Sequence, residues 1–147
     1  MTEYIKTFGE IGIADVQRVG GKNSSLGEMF NHLSSKGVSV PDGFATTAFA
    51  FEKFLYRNNL HSRLYELMNK LDKTSFSNLK EIGAEARKLI MAAEMPRDIE
   101  GAILKSYKNL CGENSGKYRK LNKISFKVGY FTLKTYFYRH LINSAKF

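Results

Sequence analysis

The chain has 147 residues, 43% of them hydrophobic, with two prolines, one cysteine and a formal net charge of +9. That length holds one modest domain, and the lone Cys111 can form no internal disulfide and cannot by itself make a metal site. No apolar run reaches the roughly 18 residues of a transmembrane helix, and Met1-Thr2-Glu3-Tyr4 lacks the basic-then-apolar layout of a signal peptide, so a cytoplasmic protein without membrane partners is expected.

Tyr4-Ile5-Lys6-Thr7-Phe8 is a short β-prone stretch ended by Gly9, and residues 9–21 read as loop, with glycines at 9, 12, 20 and 21. A first helix is expected over roughly 24–36. Ser25 and Glu28 have capping-box spacing, Leu26, Met29, Phe30 and Leu33 fall on one apolar face, and Gly37 supplies a stop. Val38-Ser39-Val40 enters a Pro41-Asp42-Gly43 turn, and Phe44-Ala45-Thr46-Thr47 suits a short strand. Thr46 or Thr47 then caps a helix over about 48–58, with Phe51, Phe54 and Leu55 inward.

Leu60, Leu64, Leu67, Met68 and Leu71 follow helical spacing, as do Leu79, Ile82, Ala86, Leu89, Ile90 and Ala93. Pro96 suits the first turn of a last helix. Its apolar face is Ile99, Ala102, Ile103, Tyr107 and Leu110, with Cys111 as a buried structural thiol and Gly112 as the stop. These stripes read as packing surfaces.

The charge divides the chain. Residues 1–112 carry 15 Lys/Arg against 13 Asp/Glu, whereas residues 113–147 carry eight against the single Glu113, with eight of the 19 aromatics. Ser125 to Tyr138 is β-prone with apolar residues on both faces. A strand pair, a collapsed tail and a membrane-surface segment all fit it. Lys and Arg interleaved with Tyr and Phe could also pair with phosphates and stack on bases. No recognised nucleic-acid motif accompanies them, so a nucleic-acid partner is not the expectation.

Val19-Gly20-Gly21-Lys22-Asn23-Ser24-Ser25-Leu26-Gly27-Glu28-Met29 carries the most chemistry. Glycines let a backbone turn tightly and approach a ligand. A helix start offers unpaired N–H groups and a positive dipole end, and Lys22 adds a point charge. These are the parts of a phosphate site, although a surface turn with a solvated lysine has the same sequence. The run is not a P-loop, because Val16 stands where the first glycine belongs and Asn23 replaces the hydroxyl residue. His32, His61 and His140 lack partners at useful spacing and read as structural or solvent-facing.

Taken with Val38-Ser39-Val40-Pro41-Asp42-Gly43-Phe44-Ala45-Thr46-Thr47, this run resembles the start of the phosphoenolpyruvate synthase (pyruvate, water dikinase) family over roughly residues 1–114. The resemblance implies an α+β fold: the mainly helical portion of an ATP-grasp-like nucleotide-binding domain with a few short strands. It implies that Lys22 contacts ATP phosphates and that Gly20, Gly21 and Asn23 shape the loop. The family makes phosphoenolpyruvate from pyruvate, ATP and water, releasing AMP and phosphate, through a phosphohistidine and with magnesium. A rifampicin phosphotransferase shares the G-G-K block, but the second block fits the synthase better.

The family continues with V-R-S-S-A-T-A-E-D, where this chain reads Ser115-Gly116-Lys117-Tyr118-Arg119-Lys120-Leu121. The acidic magnesium ligands and the phosphohistidine and pyruvate domains have no counterpart in these 147 residues. The tail's Lys, Tyr, Phe, Asn and Ile share A/T-rich codons, so the chain is expected to be a truncated or frame-shifted fragment whose residues 115–147 are a basic aromatic tail outside the family. The expectation is a fragment that keeps part of an ATP site, is inactive alone, and can self-associate through exposed apolar helix faces.

Overall fold

The computed structural model describes residues 4–111. Strands β1 (Ile5–Thr7) and β2 (Phe44–Thr46) pair antiparallel, with Ile5 opposite Thr46 and Thr7 opposite Phe44. The helices are α1 (Val16–Val19), α2 (Gly21–Leu33), α3 (Ala48–Arg57), α4 (Leu60–Asn69), α5 (Leu79–Ala92) and α6 (Arg97–Cys111). The described part is therefore α+β and mainly helical, as expected.

Helices α3 to α6 bury the stripes their periodicity announces. Phe51, Phe54, Leu55, Leu60, Leu64, Leu67, Leu71, Ile82, Ala86, Ile90 and Ile99 form one apolar cluster. Thr47 caps α3, its hydroxyl accepting from the Ala50 N–H at 3.2 Å. The Pro96 carbonyl accepts the first bond of α6, from the Glu100 N–H at 2.9 Å. Leu110 departs from its assigned face: it is exposed, and the buried residues of α6, Ile99 and Ala102, lie in its first half. Cys111 is half-buried rather than buried, at the same far end.

Two polar knots hold the helix ends. Asp98 at the start of α6 accepts from the Tyr4 hydroxyl at 2.9 Å and from both Arg57 terminal nitrogens at 3.1 and 3.0 Å. The Tyr4 hydroxyl foremost, then the Ile99 N–H and the Arg57 charge, hold its carboxyl below the usual carboxylate range. Asn58 donates to the Glu94 carbonyl and accepts from the Glu94 N–H, both at 3.0 Å, tying the α5–α6 connection to the end of α3.

The first helix departs from expectation. It begins at Gly21, three residues early, so Ser25 lies inside it and makes no capping box with Glu28. Its buried residues are Ser24 and Gly27, while Met29 is exposed and Leu26, Phe30 and Leu33 are half-buried. The apolar side chains miss the contact face because that face carries the helix's smallest residues. A Cβ on Gly27 would meet the Ile11 carbonyl oxygen at 2.5 Å, so α2 lies directly on the Ile11 backbone. The stop is as expected: Gly37 takes φ 82° after a 3-10 turn at Ser34–Lys36, and Val38 N–H returns to Leu33 O at 3.2 Å.

The stretch read as loop also holds local structure. It contains 3-10 turns at Phe8–Glu10 and Ile13–Asp15 and the one-turn α1. Ile11, Val19 and Ala45 form a small second core there, with Phe8 against it.

Two glycine substitutions separate close packing from helix propensity. Gly27→Ala forces α2 off Ile11 and lowers stability by about 1–3 kcal/mol, the usual cost of overpacking. Gly101→Ala, at an exposed α6 position with nothing within 4 Å of the added carbon, raises stability by up to about 1 kcal/mol. Chemical denaturation of the two variants checks both signs.

Candidate phosphate site

Residues 20–23 lie on one turn between two helices. Gly20 takes φ 83° and ψ 154°, a combination essentially reserved for glycine. Its N–H closes α1 by donating to Val16 O at 2.8 Å, and its carbonyl opens α2 by accepting from Ser24 N–H at 3.0 Å. One glycine thus ends one helix and starts the next with almost no linker. That reversal needs the φ no side-chain-bearing residue adopts cheaply.

Gly21, Lys22 and Asn23 are the first three residues of α2. Their N–H groups precede the first intrahelical donor, Ser24, and point out of the helix start, where the dipole is positive. Gly21 is exposed, with nothing within 4 Å of where a Cβ would stand, so a ligand has access to this backbone. Lys22 is exposed and forms no salt bridge among the described residues. Arg18 is the other cation nearby in sequence, 3.5 Å from Asp15.

Asn23 is used inside the protein. Its Nδ2 donates to Val19 O at 2.7 Å, pinning the end of α1 to the start of α2. Ser24 behind it is fully buried, and its hydroxyl has no partner among the described residues.

Two contributors escaped the sequence reading. Glu28 Oε2 accepts from the Ile13 N–H at 3.0 Å, and Asn31 Nδ2 donates to Phe8 O at 3.3 Å and Ile11 O at 3.0 Å. A polar pair at i and i+3 beside a helical glycine was the available signal, because such a pair can serve backbone that approaches the glycine. His32 and His61 lie on the outside, paired with Glu28 at 3.1 Å and Glu52 at 3.4 Å. His140 and the basic tail lie outside the described residues.

The start of α2 has the polarity of an anion cradle: N–H groups without an intrahelical acceptor, a helix dipole and one exposed ammonium. The family model for the pyruvate phosphate dikinase AMP/ATP-binding domain matches residues 16–123, which contain the whole turn. The chain belongs to this family. Phosphoenolpyruvate synthases of Synechocystis sp. and Escherichia coli K12 are each 44% identical to it, over 119 and 107 residues. That of Helicobacter pylori is 38% identical over 107 residues. These alignments take in 79%, 73% and 73% of this chain but 14%, 14% and 13% of the relatives, so the chain spans about one seventh of their length. Among the described residues no helix is long and apolar enough to cross a membrane, and no group of three or more His, Cys, Asp or Glu could hold a metal ion.

Gly20→Ala strains the turn and costs about 1–3 kcal/mol. Ser24→Ala removes a buried hydroxyl with no described partner and is neutral to stabilising, by up to about 1 kcal/mol. Denaturation midpoints of the two variants should move in opposite directions or, for Ser24→Ala, not fall.

Proposed function

We propose that residues 20–23 are the phosphate-contacting turn of an ATP site, in a nucleotide-binding domain of ATP-grasp-like type. The observation that carries this is the placement of Lys22. It stands exposed at the second residue of α2, directly after the glycine-only turn, beside three N–H groups that begin the helix. Polyphosphate suits both halves of that arrangement: the N–H groups take phosphate oxygens in directed bonds, and the ammonium neutralises charge from a flexible stem. Gly20 and Gly21 let the backbone approach, and Asn23 keeps the turn in shape.

The whole reaction in this reading is that of a phosphoenolpyruvate synthase. Pyruvate, ATP and water give phosphoenolpyruvate, AMP and phosphate, through a phosphorylated histidine, in the cytoplasm. The relatives named above carry that name, which favours the synthase over a rifampicin phosphotransferase. Within the chain, residues 20–23 would hold and orient nucleotide. Phosphoryl transfer further requires a positioned acceptor and charge neutralisation around the transferred group. Magnesium would supply the latter; among the described residues no group of three or more His, Cys, Asp or Glu stands together to hold it. Self-association would run through exposed apolar side chains of the helices, among them Tyr56, Tyr65 and Met91, all more than half exposed.

The test is a titration of the purified chain with ATP, beside Lys22→Ala. Removal of a charge-assisted phosphate contact weakens binding by roughly tenfold or more. Equal affinity of the two proteins for ATP contradicts the assignment of Lys22.

A further inference from the structure

Segment 12–19 runs into the phosphate turn, and by itself it has little to hold it. Helix α1 is a single turn of four residues, far below the length at which a helix persists alone. Ile13 and Val16 are exposed, at 62% and 42%, so only Val19 anchors the stretch by burial. Hydrogen bonds must do the remainder, and they converge on α2.

At the far end of the segment, Asn23 holds Val19 O. At the near end, Glu28 Oε2 takes the Ile13 N–H at 3.0 Å. Between them Asp15 closes a small turn, its Oδ2 accepting from the Gly12 N–H at 3.1 Å and its N–H donating to Gly12 O at 3.0 Å. A Cβ on Gly12 would stand 2.8 Å from Glu28 Oε2. Gly12 has φ −149° and ψ −166°, extended backbone open to any residue. A side chain at this position would therefore meet the tip of the Glu28 side chain and push its carboxylate aside, with no backbone strain. Glu28 also meets His32 Nε2 through Oε1 at 3.1 Å, so both of its oxygens are engaged.

We infer that Glu28 is a positioning residue for the phosphate turn: by holding Ile13 against α2 it fixes the entry of α1 and hence the place of Gly20. It touches no nucleotide. This rests on the reading of residues 20–23 as a phosphate turn. Gly12 and Ile13 lie outside the stretch matched by the family model, residues 16–123, so the contact joins matched to unmatched sequence.

The experiment compares Glu28→Ala, Glu28→Gln, Gly12→Ala and Lys22→Ala with the unaltered chain. It reads ATP affinity, thermal midpoint, and amide hydrogen exchange at Ile13, Val19 and Gly20 without nucleotide. Glu28→Ala should speed exchange at all three amides and weaken ATP binding by roughly threefold to tenfold, the range for residues coupled to a site they do not touch. Glu28→Gln keeps an oxygen that can accept from Ile13 and should restore both readouts. Gly12→Ala leaves Glu28 in place but displaces its carboxylate, so it should reproduce the effect of Glu28→Ala with a smaller change in thermal midpoint. It also covers the case in which Glu28→Ala does not fold.

Glu28→Ala or Gly12→Ala with unchanged exchange and affinity, beside a Lys22→Ala variant that binds ATP poorly, overturns the role of Glu28 and leaves the phosphate site standing. Faster exchange at 13–20 with unchanged ATP affinity also overturns it, as the mark of a merely structural contact. A chain whose ATP binding is absent, or indifferent to Lys22→Ala, removes the phosphate reading itself and this inference with it.

Discussion

Gly27 sets the distance between α2 and the backbone of Ile11, and much of the candidate site follows from that distance. Because no side chain stands between them, polar groups of α2 reach main-chain atoms of residues 8–19. Asn31 serves Phe8 and Ile11, Glu28 serves Ile13, and Asn23 serves Val19. This part of the molecule buries little apolar area. Its core is Ile11, Val19 and Ala45 with Phe8 at the edge. Specific hydrogen bonds to backbone that would otherwise be left to solvent define its shape.

The two halves of the described chain are thus stabilised differently. Helices α3 to α6 share a cluster of large apolar side chains, and their ends are tied by Asp98 with Arg57 and Tyr4 and by Asn58 with Glu94. In the loop after α4, Asp72 gathers Thr74 N–H and the Ser75 and Ser77 hydroxyls, and the Ser75 hydroxyl above all brings its carboxyl down to about 2. The β1–β2 pair joins the halves, since β2 leads into α3 and α6 packs on β1. A stable helical layer beside a lightly packed, hydrogen-bonded turn suits a binding element, because such regions are drawn from the less stable parts of a fold.

Sequence periodicity found the elements that bury large side chains. The stripes of α3, α4, α5 and most of α6 were legible because burial there is set by Leu, Ile and Phe at 3.6-residue spacing. The Thr47 cap and the Gly37 stop were legible as local chemistry. Helix α2 was misplaced because its contact face is Ser24 and Gly27, which periodicity does not count as apolar. Its true start, Gly21, looked like loop because glycine is a poor helix former. The 3-10 turns and α1 lack an apolar periodicity to announce them: short local bonds at Thr7–Glu10 and Gly12–Asp15, and long-range bonds from Asn23, Glu28 and Asn31, hold them. Lys22 and its glycines were readable as a pattern, whereas the polar pair Glu28 and Asn31 beside Gly27 was a weaker signal, since its partners are carbonyl and N–H groups that any residue supplies.

In the proposed site, α2 presents the N–H groups of residues 21–23 and the Lys22 ammonium to a polyphosphate. The most direct measurement is the change in backbone amide resonances of the isotope-labelled chain on addition of ATP. The largest shifts should fall on Gly20, Gly21, Lys22 and Asn23 and spread to Val19 and Ile13, with α4 and α5 unmoved. Shifts concentrated away from the start of α2, or no shift at Gly21 and Lys22 at saturating ATP, would contradict it.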